Sequence, residues 1–185
     1  MNLPNKLTML RIILIPIFVV LFEVSSIPNN MIWALLVFVV AAITDQLDGH
    51  LARKNNQVTS FGKLADPLAD KLLTISALIC FVETNVSYLP GWAVIVIIAR
   101  ELIVTGIRMI ALTDNTVIAA SMWGKSKTVA QIGVIVLIML DLILRGFGIV
   151  IPCIIMVVLV AIMVILTLIS GFDYLKKNWG LLNFK

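Results

Sequence analysis

The chain has 185 residues, of which 61% are hydrophobic and only 13% charged, with a formal net charge of +4. A soluble domain ordinarily carries about 25% charged residues, so too few polar side chains remain to cover a water-facing surface. The high mean hydropathy of +1.11 excludes intrinsic disorder, and a basic excess in so apolar a chain marks cytoplasmic flanks rather than a nucleic-acid surface.

The expected fold class is all-α, a polytopic integral membrane protein with a single domain over residues 1–185. A membrane helix needs about 20 residues to cross roughly 30 Å of hydrocarbon. Hydropathy predicts six transmembrane helices, at about 8–24, 31–50, 64–83, 92–112, 128–144 and 148–170. A short N-terminal interfacial segment, Asn2-Leu3-Pro4-Asn5-Lys6, comes before them. No cleavable signal peptide is expected, because Arg11 and Pro16 interrupt the first apolar stretch and no small-x-small site follows.

Turn-forming clusters support the divisions. Ser25-Ser26-Ile27-Pro28-Asn29-Asn30 parts the first two spans, Asn55-Asn56-Gln57 the next pair, and Tyr88-Leu89-Pro90-Gly91 spans three and four. Thr113-Asp114-Asn115 closes span four, and Gly146 and Gly148 leave a very short turn before span six. With an even number of spans, every Lys and Arg except Arg145 falls on the side of the two termini. The positive-inside bias therefore puts both termini in the cytoplasm. Trp33, Trp92, Trp123 and Trp179 fall near span ends, as an interfacial belt requires. Cys80 and Cys153 lie in apolar stretches and read as small buried hydrophobes, not as a disulfide.

The chemistry concentrates between spans two and three. Asp45 and Asp48 are three residues apart at the end of one span, and Asp66 and Asp70 four apart where the next re-enters. Both spacings put a pair on one helical face. Four carboxylates at one depth repel one another strongly, and divalent cations remove that penalty. Oxygen ligands suit hard ions such as Mg²⁺ or Mn²⁺. Asp66 directly before Pro67 also fits a helix N-cap followed by proline at the first helical position. Gly49 and Gly62 leave room for close approach, and Arg53 lies one turn beyond Gly49 with donors suited to phosphate oxygens.

Together these residues read Asp45-x2-Asp48-Gly49-x2-Ala52-Arg53-x8-Gly62-x3-Asp66-x3-Asp70. The pattern resembles the complete signature of the CDP-alcohol phosphatidyltransferase family. Asn2 to Thr8 with Arg11, Ala99-Arg100-Glu101 with Thr105-Gly106-x-Arg108, and Gly124-Lys125-x-Lys127-Thr128-x2-Gln131 resemble segments of its bacterial branch that uses glycerol phosphate. The resemblance implies two divalent cations, Mg²⁺ or Mn²⁺, held by Asp45, Asp48, Asp66 and Asp70, with Asp70 also the general base. It implies that Asp48, Gly49, Ala52, Arg53 and Gly62 border the CDP moiety. A homodimer in the bacterial cell membrane, with a cytoplasm-facing site, belongs to the same expectation.

The implied reaction transfers the phosphatidyl group of CDP-diacylglycerol to sn-glycerol 3-phosphate. The acceptor is a dianion, and Arg100, Arg108, Lys125 and Lys127 all map to the cytoplasmic half of the predicted topology. Glu101, Thr105 and Arg108 share a stripe on span four, and Lys125, Thr128 and Gln131 repeat at threes on span five. Lys125 and Lys127 also fit a plainer role as positive-inside anchors. Another acceptor, such as phosphatidylglycerol, is the alternative within the family. From a different class, a divalent-cation transporter needs polar groups in both bilayer halves, whereas the outer half here holds only Glu23, Glu83, Asp141 and Arg145 at its rim. A purely structural membrane subunit leaves the four aspartates as an uncompensated cost.

Overall fold

The computed structural model describes residues 3–54, 60–113 and 121–181. Side-chain surroundings are described for these apart from 3–5, 45–54, 60–68, 70, 112, 113 and 181. The described elements are six long helices: α1 (Leu3–Glu23), α2 (Asn30–Lys54), α3 (Ser60–Glu83), α4 (Gly91–Thr113), α5 (Met122–Gly146) and α6 (Cys153–Asn178). One 3₁₀ turn, Trp179–Leu181, follows α6. The order is the expected one. The N-terminal segment is not a separate element, because α1 starts at Leu3 and continues through Pro16 to Glu23.

The ends have local causes. Ser121 caps α5, its hydroxyl accepting the Gly124 N–H at 3.1 Å, so this helix begins one and a half turns before the apolar run at 128. At the other end Gly148 adopts φ 77°. Its N–H donates to Arg145 O at 3.0 Å and the next N–H, of Ile149, to Leu144 O at 3.0 Å. This pairing is the Schellman closure that glycine's left-handed backbone permits. It delays α6 to Cys153, after Pro152, rather than 148. Between α1 and α2, Asn29 takes φ 56° and Asn30 Nδ2 donates to Phe22 O at 3.2 Å.

The chain divides into two compact units. The first comprises Met1–Thr84 with Ile135–Val150. In it α1 packs on both α2 and α3, and α2 on α3. Its centre is aromatic: Phe18 contacts Phe22 and Phe38, each pair with ring centroids 5.9 Å apart, and Phe22 contacts Phe81 at 5.7 Å. All four rings are buried. The second unit comprises Asn85–Val134 with Ile151–Lys185. There α4 packs on α6, with Val104, Ile107 and Tyr174 buried together against Leu175.

Burial is inverted relative to a soluble protein. Arg11, Glu101, Lys127, Gln131 and Asp141 are buried, whereas Ile154, Val158, Ile162, Ile165 and Leu168 of α6 are exposed. In water such a face is an aggregation surface; against lipid it carries no penalty. Helices α5 and α6 are long and apolar enough to cross a membrane, the two such helices among the described residues. Trp33, Trp92, Trp123 and Trp179 are all exposed and lie within a turn of a helix end. Both cysteines are free, and Cys153 is exposed rather than buried as expected: the apolar stretch around it faces outward.

The aromatic centre should dominate the stability of the first unit. Phe38→Ala is expected to cost about 3–5 kcal/mol through the cavity it leaves. Leu36→Ala, on the exposed side of the same helix, should cost under about 0.5 kcal/mol. Thermal midpoints of both variants in one detergent check the contrast.

Candidate active site

The carboxylate positions belong to the first unit. Asp45, Asp48, Gly49, Ala52 and Arg53 lie on the last turns of α2, and Gly62, Asp66 and Asp70 on the first half of α3. Their side chains lie outside the described residues; the helices that carry them do not. Asp48 is six residues before the end of α2 and Asp66 six after the start of α3, each about 9 Å along its axis. Asp45 and Asp70 are nine and ten residues from the same ends, about 14 and 15 Å. The two pairs are thus nearly equidistant from the helix ends that face each other in sequence, and α2 packs on α3.

Helix α3 begins at Ser60, so Asp66 is not an N-cap. Pro67 follows it within the helix, and its missing N–H leaves the Lys63 carbonyl without an intrahelical partner. Among the described residues, no three His, Cys, Asp or Glu side chains come together as a metal site. The donor set at positions 45, 48, 66 and 70 is all carboxylate oxygen, the chemistry that suits hard divalent cations.

The second unit holds a buried basic cluster. Glu101 on α4 is 1% exposed, and its Oε1 accepts hydrogen bonds from Lys127 Nζ of α5 and, at 3.1 Å, from Arg100 Nη1. The Arg100 stem runs across Gly171 of α6, where a Cβ would stand 2.9 Å from its Cγ. Only glycine leaves that space. Arg108 lies two turns beyond Glu101 on the same face, half-buried. Among the described residues, Arg100, Arg108 and Lys127 outnumber Glu101 on this side of the unit. In this unit four buried polar atoms have no hydrogen-bond partner among the described residues: Nε of Arg100, Nε of Arg108, Nε2 of Gln131 and Oη of Tyr174. Buried donors without partners are costly, and their excess fits an anionic ligand.

The two expected stripes fared differently. Glu101, Thr105 and Arg108 do turn inward, buried or half-buried. Lys125 and Thr128, by contrast, are exposed, the Thr128 hydroxyl donating to Gly124 O at 3.1 Å. The inward face of α5 is instead Lys127 with Gln131, one turn apart, because Lys127 is drawn to Glu101. Tyr174 was not singled out from sequence; a tyrosine near a helix end also fits an interfacial belt.

Comparison with known proteins agrees with the signature. Residues 1–172 match the CDP-alcohol phosphatidyltransferase family, and the chain belongs to that family. Members are enzymes that typically use divalent cations. The chain is similar to the CDP-diacylglycerol–glycerol-3-phosphate 3-phosphatidyltransferase of Bacillus subtilis (strain 168), 44% identical over 192 residues that cover 96% of this chain and 95% of the relative. It is also similar to the enzyme of that name from Rickettsia typhi, 39% identical over 95% of this chain and 96% of the relative. With that of Haemophilus influenzae it is 42% identical over 70% of this chain and 71% of the relative.

The buried charges give a direct test of the second unit. Glu101→Gln takes their acid from Lys127 and Arg100 and should destabilise the protein by about 3–5 kcal/mol. Adding Lys127→Met to that variant should restore most of the loss, as read from thermal midpoints of the single and double variants.

Proposed function

We propose that this chain transfers the phosphatidyl group of CDP-diacylglycerol to sn-glycerol 3-phosphate, giving phosphatidylglycerophosphate and CMP. The observation that supports the acceptor is the excess, among the described residues, of the buried Lys127 and the half-buried Arg100 and Arg108 over Glu101. A phosphate dianion balances that charge and engages the unused donors; inositol, serine or choline does not. The relatives' names carry the same acceptor. The exposed Lys125 at the start of α5 adds to the local positive potential rather than to the buried set.

On this reading CDP-diacylglycerol is held by α2 and α3. Gly49, Ala52 and Gly62 leave room for the CDP moiety beside Asp48, and Arg53 donates to its phosphate oxygens. Asp45, Asp48, Asp66 and Asp70 are the donors for two divalent cations, Mg²⁺ or Mn²⁺, which when bound neutralise the pyrophosphate and the departing CMP. Asp70 accepts the proton of the acceptor's 1-hydroxyl as its oxygen attacks the lipid-bearing phosphorus. The bond from that phosphorus to the CMP oxygen breaks in line with the attack. Arg100, Arg108 and Lys127 bind the acceptor's phosphate.

The setting we propose is a bacterial cell membrane crossed six times, with both termini and the site cytoplasmic and the enzyme acting as a homodimer. The inverted burial and the exposed tryptophans at helix ends support the membrane setting. The positive-inside bias of the loops supports the orientation.

Purified protein should release CMP from CDP-diacylglycerol with glycerol 3-phosphate and Mg²⁺ or Mn²⁺, and stop on chelation. Equal or faster release with phosphatidylglycerol, serine or inositol overturns the acceptor. Asp70→Asn should slow turnover by roughly 10²-fold or more while leaving folding intact. Arg108→Ala should raise the KM for glycerol 3-phosphate roughly tenfold or more, with the KM for CDP-diacylglycerol nearly unchanged.

A further inference from the structure

Arg11 is 0% exposed, although it sits in an apolar first helix and no role in the reaction has been assigned to it. A guanidinium removed from water costs several kcal/mol unless an anion compensates it. Where that anion lies follows from the aromatic centre of the same unit.

On α1, Arg11 precedes Phe18 by seven residues and Phe22 by eleven. Either step returns a helix to within about 20° of the same face. Phe18 touches Phe38 of α2, and seven residues on from Phe38 is Asp45. Phe22 touches Phe81 of α3, and eleven residues back from Phe81 is Asp70. Helices α1 and α2 are antiparallel, as shown by Phe18 against Phe38 together with Asn30 against Phe22. Moving down α1 from Phe18 to Arg11 is therefore moving along α2 from Phe38 to Asp45, about 10.5 Å in each case. The second ring contact gives the same result independently: Arg11 and Asp70 lie about 16.5 Å from the touching pair Phe22 and Phe81. Buried residues trace the stripes toward these positions, Phe38 and Ala41 on α2 and Ala77 and Leu73 on α3. Arg11, position 45 and position 70 thus form one layer, each on the helix face that carries the aromatic layer above.

We infer that Arg11 is a positioning residue, the built-in counter-charge that holds the carboxylate layer of Asp45 and Asp70 together before a divalent cation arrives. The inference rests on the reading of these aspartates as metal donors. Without Arg11, the carboxylates of this layer repel one another in the metal-free protein, and only the bound ion restores the balance.

The test is the thermal midpoint of purified protein in EDTA and in saturating Mn²⁺, for wild type, Arg11→Met, Arg11→Gln and Arg11→Lys. The Mn²⁺-induced rise should exceed that of wild type by about 5 °C or more in Arg11→Met and Arg11→Gln, because the ion replaces the lost charge. Arg11→Lys, which keeps the charge, should behave like wild type. Should Arg11→Met fail to fold, Arg11→Gln decides, since it keeps a hydrogen-bonding side chain without the charge. An equal drop in both buffers, or no drop, overturns the assignment and returns Arg11 to plain packing. A wild-type midpoint that ignores Mn²⁺ overturns the metal reading and the role of Arg11 with it.

Discussion

A charge inside this protein has no water to retreat to, and that constraint orders the rest of the structure. Two kinds of compensation result. Asp141 is fully buried yet answered on its own helix by Arg145, at 2.8 and 2.9 Å, with the arginine 40% exposed. That pair lies within one helix, with its arginine reaching the surface. Glu101, Lys127 and Arg100 instead join two helices, and the cations there exceed the acid. An exposed pair such as Lys177–Asp173 at 2.8 Å contributes about 0–1 kcal/mol. Breaking a buried pair costs about 3–5 kcal/mol, so the cluster that joins two helices weighs far more on stability than the exposed pair.

The helices were legible in the sequence as long apolar runs, and several ends, both of α4 and the last of α3 among them, fell within a residue of expectation, but the ends that lie among polar residues did not. Hydropathy marks where the hydrocarbon lies, whereas a helix continues for as long as its backbone is satisfied. Ser121 starts α5 among polar residues that no hydropathy window includes, and α6 runs on through Lys176 and Lys177 to Asn178. Cys153 shows a second gap. Lipid-facing and core-facing positions are both apolar, so composition could not tell that this thiol faces outward.

The carboxylate pairs could be proposed from sequence because three- and four-residue spacings need only one helix each to be meaningful; their side chains lie outside the described residues. The basic cluster was harder. Lys125 and Lys127 are alike as sequence, two cations near the start of a span, and both stood as candidates for the acceptor phosphate. The structure buries Lys127 because Glu101 stands opposite, on a helix some 26 residues away in sequence, and a single helix carries no record of that partner. Arg11 belongs to the same class. Its relation to Asp45 and Asp70 is written in steps of seven and eleven, but those steps acquire meaning only once it is known which phenylalanines touch.

Those contacts tie stability to chemistry. A slip of one residue along any of the three helices moves a side chain by about 1.5 Å and turns it by about 100°, enough to carry position 45 or 70 off the face it shares with Arg11. Charge alone is a poor guardian of register, since a flexible arginine can follow a carboxylate through small shifts. Interlocked rings cannot follow: Phe18, Phe22, Phe38 and Phe81 meet at centroid separations of 5.7 to 5.9 Å and are fully or almost fully buried. The aromatic layer therefore does for the charged layer what a rigid scaffold does for any site, fixing positions that the charged groups could not hold alone.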